Sequence, residues 1–401
     1  MTRRHDLDWV RVLAFCLLVV YHVGMYYVTW DWHVKSPHAG PLIEPLMVLS
    51  SPWRLSLLFL VSGVATAFLV GKQREGFLRA RSWRLLVPLI FGMLVIVPPQ
   101  AYYEVVEKLP GGYHDGYLAF GGRYLMADPD FCRGDDCLEL PTWNHLWFVA
   151  YLWVYTMLLA LALRFLPTLS TRVTQYIASA LGGVGLLIWP VLWLVAARLV
   201  LFPIFDSTHG LFDDWYNHAQ YFSVFLIGFA IAKSGSAWDA IEASRRTAGL
   251  IAIACAGFLS WYFSTYSGDL PAPNALLLVQ RGIWVVMAWS VIIAVLGYAR
   301  HIAPGDSPTL RYLSAAIFPV YILHQTVIVV VAHNLKPFAI APAFEGALLI
   351  VATFALCFLG YEIARRIAIL RPLFGLNART KAAQAGGSAI QTDTLREERA
   401  P

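Results

Sequence analysis

His22 sits inside an apolar run that extends from about residue 9 to residue 30. Imidazole is the side chain whose ordinary pKa, about 6.5, suits it to take up a proton near neutral pH. An ionisable group within hydrocarbon costs at least a few kcal/mol, so it faces a protein interior or a watery cavity and is a functional candidate by default. Two roles are open to His22: a hydrogen bond that fixes helix packing, or proton transfer. Arg11 lies eleven residues earlier, and eleven steps of about 100° return to nearly the same helix face. Asp8, Arg11, Leu18, His22 and Tyr26 therefore form one stripe. Tyr26, one turn beyond His22, is placed to orient the imidazole or its reaction partner.

A second group of chemically capable residues is "REGFLRARSWRLLVP", with Arg74, Arg79, Arg81 and Arg84. Membrane topology alone puts basic residues at such a place. Arg81 and Arg84 are also i, i+3 neighbours where an apolar run begins, and a guanidinium pair there can hold phosphate groups bidentately. Arg54, Arg198 and Arg281 fall within other apolar runs. Snorkelling to the interface accounts for Arg54 and Arg198; Arg281 lies deeper and calls for a partner such as Glu345 or a ligand. "WNHLWF" contributes His145 and "FPVYILHQ" contributes His324, each open to a structural or a functional reading.

The elements that carry these residues follow from composition. The 401 residues are 58% hydrophobic and 14% charged, with 15 Trp, and mean hydropathy is +0.60. A soluble chain averages about 25% charged residues. Apolar runs long enough to cross roughly 30 Å of hydrocarbon recur at about 9–30, 45–70, 85–102, 145–163, 174–201, 217–232, 248–266, 275–299, 312–332 and 341–364. The fold class expected is all-α, a polytopic membrane protein with about ten transmembrane helices. With the N-terminus cytoplasmic, the inner connections hold 21 of the 30 Lys and Arg and the outer ones only five, so both termini are expected in the cytoplasm. The pI near 8.9 then reports topology, and no nucleic-acid partner is expected; the lipid bilayer is.

The basic N-terminus resembles a signal peptide, but its apolar segment is too long and lacks a small-residue cleavage site, so it is read as a retained helix. Cys16, Cys255 and Cys357 lie in apolar runs and behave as small hydrophobes. Cys132 and Cys137, in "FCRGDDCLEL", form a disulfide if their compartment is oxidising and remain two thiols otherwise. The long outer connection 103–142 is rich in Gly, Asp and Tyr and suits a lid or a binding surface. Residues 1–370 are expected to form one membrane domain and 371–401 a disordered cytoplasmic tail. No metal is expected.

Together these pieces resemble the acyltransferase-3 family of membrane acyltransferases: Arg11 followed by ten residues and His22, "FLVSG", "RARSWRLLVP", "HLWF" and "YILHQ" in order. The span "WHVKS", with His33, and the "HLWF" segment are most similar to the glucan biosynthesis protein C branch. Members carry an Arg-x-Arg motif directly before the third helix; here Ser82 stands where its first arginine is expected, Arg84 fits the second, and Arg79-Ala80-Arg81 matches one turn earlier.

The resemblance implies transfer of an acyl group, acetyl or succinyl, from cytoplasmic acyl-CoA (acetyl-CoA or succinyl-CoA) to a hydroxyl of an extracytoplasmic glycan, a periplasmic glucan in that branch. The setting implied is the bacterial cytoplasmic (inner) membrane. His22 becomes a general base or a transient acyl carrier, with Tyr26 beside it. Arg11, Arg79, Arg81 and Arg84 become donor contacts, and Arg54, Arg281, His33, His145 and His324 substrate contacts. Two rivals stand beside this reading. A secondary transporter of a polar or anionic solute would use the same arginines as a path, although no internal repeat of the kind many transporters carry is evident. A structural or sensory protein would use the buried polar groups only for packing.

Overall fold

The computed structural model describes residues 4–72, 76–134, 136–266 and 270–377. They fold almost entirely as helices: α1 His5–Met25, α2 Glu44–Ser50, α3 Arg54–Lys72, α4 Phe77–Phe91, α5 Pro98–Lys108, α6 Tyr117–Leu125, α7 Trp147–Phe165, α8 Pro167–Ala180, α9 Gly185–Val200, α10 Trp215–Ile231, α11 Gly235–Thr265, α12 Asn274–Ile302, α13 Pro308–Leu335, α14 Pro342–Arg366 and α15 Leu370–Leu373. The strands among the described residues are Cys132–Arg133 and Asp136–Cys137, a two-stranded antiparallel hairpin.

Among the described residues eight helical stretches are long and apolar enough to cross a membrane, and the bent pair α8–α9 makes a ninth if it counts as one span. The apolar run 174–201, read as one span, is broken in two. The chain bends by 113° between α8 and α9, at Gly182–Gly183. Two successive glycines interrupt helix propagation, and α8 is rich in Thr, Ser, Arg and Gln, with no buried residue. α10 has 17 residues, close to the lower length for a crossing.

α1 and α13 lie side by side and run in the same direction. Arg11 Nη2 reaches the Ser314 carbonyl at 3.5 Å near one end, and His22 meets His324 near the other. α3 and α10 pack backbone to backbone at Gly63 and Gly228. A Cβ on Gly63 would lie 2.0 Å from the Phe225 carbonyl oxygen, and one on Gly228 2.1 Å from that of Leu60. Without a hydrophobic drive between helices in lipid, this small-residue contact is what membrane helices use to associate.

Between α4 and α5 the helix adopts a π turn over Gly92–Ile96. Pro98 and Pro99 have no N–H to continue the regular ladder, and the loosened carbonyls find side chains instead. Thr326 Oγ1 donates to the Ile96 carbonyl at 2.7 Å and Tyr124 Oη to the Met93 carbonyl at 2.8 Å. π turns of this kind often sit at functional sites.

The connection from α5 to α7 folds as a cap. Phe120, Tyr124 and Phe131 bury against Ala101 and Val105 of α5, and Cys132 and Cys137 form a disulfide, which decides the question the sequence left open. Arg133 Nη2 lies 3.5 Å from Asp31, tying the hairpin to the segment after α1. At the other end of the chain the ordered fold continues past residue 370: α15 follows, and Phe374 buries with its ring 5.4 Å from Phe91. Residues 371–377 of the expected tail are thus ordered, while 378–401 lie outside the described residues, as does Arg74.

Candidate active site

His22 Nδ1 is 2.8 Å from His324 Nε2, with the ring centroids 5.0 Å apart and the ring planes 23° from parallel. His324 Nδ1 lies 2.6 Å from the Tyr321 carbonyl oxygen. A carbonyl only accepts, so the proton of neutral His324 is on Nδ1 and its Nε2 carries a lone pair. His22 Nδ1 must then donate to that lone pair. The proton of neutral His22 is thereby placed on Nδ1, and Nε2 holds an available lone pair to which no described residue hydrogen-bonds. Orientation of a histidine by the hydrogen bond on its other nitrogen is the usual way a reactive imidazole is set.

The other two histidines singled out in the sequence differ in this respect. His145, in the 3₁₀ turn Asn144–Leu146 that opens α7, donates from Nε2 to the Ile322 carbonyl at 3.1 Å and accepts at Nδ1 from Gln100 Nε2 at 3.4 Å. Its ring meets the His324 ring edge-on at 5.1 Å. His33, after α1, donates from Nδ1 to Glu104 and accepts at Nε2 from Gln325 Nε2 at 2.8 Å. Both nitrogens of each ring are committed. Of His22, His33, His145 and His324, His22 alone keeps a nitrogen for chemistry.

These contacts belong to one network that the sequence reading largely missed. Gln100 Oε1 accepts from Asn144 Nδ2 at 3.1 Å and from Gln325 Nε2 at 3.2 Å, while Gln100 Nε2 donates to Thr326 Oγ1 at 2.6 Å. Glu104 also takes Lys108 Nζ at 3.0 Å, and Lys108 reaches Asp31 at 2.8 Å. Gln100 and Glu104 are i, i+4 on α5, so their shared face was visible as a pattern. Their partners, more than 200 residues away for Gln325 and Thr326, were not.

Tyr26 is fully buried, with its ring edge-on to Tyr27 at 4.9 Å, and no hydrogen bond joins it to His22. His324 supplies the orienting contact expected of Tyr26. An N–H acceptor of the right reach had to come from a neighbouring helix, because the Tyr26 side chain packs into the apolar cluster with Val23, Trp32 and Val34. Just beyond the helix, Lys35 donates from Nζ to the Met25 and Trp30 carbonyls at 2.7 and 2.8 Å, and burial pushes its pKa down to about 8.

The arginines fall into two places. Arg54 is buried at the start of α3, with its guanidinium 3.6 Å from the Tyr21 ring centroid and Nη1 3.1 Å from Ser50 Oγ. Arg281 lies 5.5 Å from the Phe202 ring centroid, beside buried Arg198, which donates to Tyr216 Oη at 2.8 Å. Glu345, expected as a partner for Arg281, instead accepts from Tyr27 Oη at 2.9 Å. Arg54, Arg198 and Arg281 form no ion pair with any described residue. Arg11 differs: it pairs with Asp8 at 3.5 Å, one turn before it on α1.

Arg79, Arg81 and Arg84 line a cavity of about 710 Å³ between α4 and residues 372–377, within the range typical of small-molecule sites. Arg81 Nε is buried without a hydrogen-bond partner among the described residues. Among the described residues no group of three His, Cys, Asp or Glu converges as metal ligands.

Residues 4–362 match the acyltransferase domain that defines the acyltransferase-3 family. The chain belongs to that family. It is a multi-pass membrane acyltransferase, and the acyltransferase match covers the stretch from α1 to α14 on which the His22–His324 pair and the arginine-lined side of the cavity are built. No curated protein and no solved structure is significantly similar to it.

Proposed function

We propose that this acyltransferase moves an acyl group, acetyl or succinyl, from acyl-CoA on the cytoplasmic side of a bacterial inner membrane to a hydroxyl of a glycan outside, a periplasmic glucan being the acceptor the sequence favours. The observation that carries the reading is the free Nε2 of His22, held in one tautomer by His324 and the Tyr321 carbonyl. The acceptor hydroxyl gives its proton to that nitrogen as its oxygen attacks the thioester carbonyl. The carbon–sulfur bond then breaks, and the leaving thiolate takes the proton back from His22, so that the ester and free coenzyme A thiol are the products. His324 Nε2 continues to accept from Nδ1 while His22 is charged.

The donor side is supported by chemistry of the cavity. Three guanidiniums and an orphaned Arg81 Nε suit the phosphates of a coenzyme A head, which is too anionic to cross the bilayer and must be received inside. From the cavity the contacts lead to the histidines: Gly375 rests on Phe318, Phe318 stacks on Tyr321 at 6.2 Å, and Tyr321 holds His324. Arg11 sits about 16 Å below His22 by helix rise, along the same face.

The test is transfer by the protein reconstituted in vesicles with acyl-CoA and an envelope glycan, followed by mass spectrometry of the glycan. Replacing His22 with Ala is expected to lower transfer by about 10²- to 10⁴-fold, the usual worth of general base catalysis. Full transfer by a correctly inserted His22→Ala protein would sink the proposal. Thiol release in one burst without acceptor would make His22 an acyl carrier instead, and solute flux without any acyl donor would favour transport.

A further inference from the structure

The match to the acyltransferase domain ends at residue 362, yet the chain then builds a compact structure whose cost in ordering needs a reason. Arg371 braces it, donating from Nη1 to the Arg365 carbonyl at 2.6 Å and from Nε to the Asn377 carbonyl at 2.8 Å. Leu376 N closes on the Arg371 carbonyl at 2.8 Å, and Phe374 is buried. Gly375 adopts φ +66°, a conformation L side chains rarely take, and a Cβ there would come within 2.5 Å of Phe318. The turn is thus pressed against α13 one helical turn from the residues that hold His324.

The same turn forms one wall of the arginine-lined cavity. Gly375, Leu376 and Asn377 face Arg79, Arg81 and Arg84 across it, and Trp83, 64% exposed, lines it as well. Asn377 is exposed, and while its backbone carbonyl is tied to Arg371, its side-chain amide has no hydrogen-bond partner among the described residues. A tethered amide with two donors and one acceptor reads the edge of a base or a phosphate oxygen; an indole beside guanidiniums offers a flat face for stacking.

We propose that the C-terminal turn, residues 367–377, is the second wall of the donor site, with Asn377 a binding determinant for the nucleotide head of a coenzyme thioester. This rests on reading the arginine cavity as the donor site. The turn also touches the residues that hold the His22–His324 pair, through Gly375, Phe318 and Tyr321.

The experiment uses the full chain in nanodiscs with coenzyme A itself as the probe. Asn377→Ala is expected to weaken coenzyme A binding by about three- to tenfold, the worth of one or two hydrogen bonds, and to raise the donor KM while leaving the acceptor KM unchanged. A second variant, Asn377→Cys, is expected to react with a soluble maleimide above the background of the wild-type cysteines, and saturating coenzyme A to slow that reaction. Wild-type affinity in Asn377→Ala together with labelling of Asn377→Cys that ignores coenzyme A overturns the inference alone. A wild-type protein that fails to bind coenzyme A overturns the donor reading and this inference with it.

Discussion

Two polar regions flank the His22–His324 pair, and they handle buried charge in opposite ways. Toward α5, Glu104 faces His33 and Lys108, and Gln100, Gln325, Thr326 and Asn144 satisfy one another. Toward α3, α9 and α12, Arg54, Arg198 and Arg281 have no carboxylate partner among the described residues. Their guanidiniums lie against rings instead, Tyr21 at 3.6 Å, Phe202 at 4.5 and 5.5 Å and Trp284 at 4.8 Å. A cation on a ring regains up to about 2 kcal/mol when desolvated, less than the several kcal/mol that burying an ion takes away. The first region is closed on itself and acts as a scaffold; the second carries positive charge that no described residue neutralises.

The contrast can be broken or sharpened by substitution. The largest effect expected is on the pair between the two regions. His324→Leu removes the acceptor that sets the His22 tautomer and should lower kcat by about 10-fold or more and by up to about 10⁴-fold, the loss seen when a general-base histidine is left in the wrong tautomer. His324→Gln should recover part of it, because its amide can both donate to Tyr321 and accept from His22. Equal losses in both variants would make His324 a packing residue rather than a positioning one.

Next comes the closed region. Glu104→Gln takes the carboxylate away from His33 and leaves Lys108 with Asp31 alone, and should cost about 1–3 kcal/mol of stability, read as a lower unfolding temperature in detergent. Arg54→Met should be much milder, within about 1 kcal/mol of wild type in either direction, because it removes a charge without orphaning another. Destabilisation by Arg54→Met as large as that by Glu104→Gln would erase the distinction between the two regions.

The smallest effect expected concerns Lys35, in the segment that follows α1. In the folded protein burial holds its pKa down to about 8, against 10.5 for an ordinary lysine. Between those values the unfolded chain binds the extra proton, so this group's contribution to stability rises with pH from 8 to 10.5. Lys35→Met should flatten that rise in a pH series of unfolding temperatures; an unchanged slope would show that Lys35 is no more buried than a surface lysine.

Several features were legible in the sequence because they depend on local order. The shared face of Arg11 and His22 follows from helix periodicity, and each of the ten apolar runs overlaps a helix. The bend inside 174–201 was missed because run length was weighed above the glycine pair and the polar residues of α8. The ordered turn after residue 370 was missed because its composition suggests a tail, while its stability comes from Phe91, Phe318 and the Arg371 brace. Tyr26 was favoured as the partner of His22 because it is one turn away on the same helix; the side chain that fills the role is 302 residues distant.

The amino-acid sequence by itself determined that this chain is a helical membrane protein of the acyltransferase-3 family, and that His22 lies deep in its first helix on the face of Arg11. Hydrophobicity and helical period are local properties, so they can be read without the fold. Only the tertiary structure decided which of four candidate histidines retains a free nitrogen. That depends on where each ring finds its donors and acceptors, and those come from helices that meet only when the whole bundle is packed.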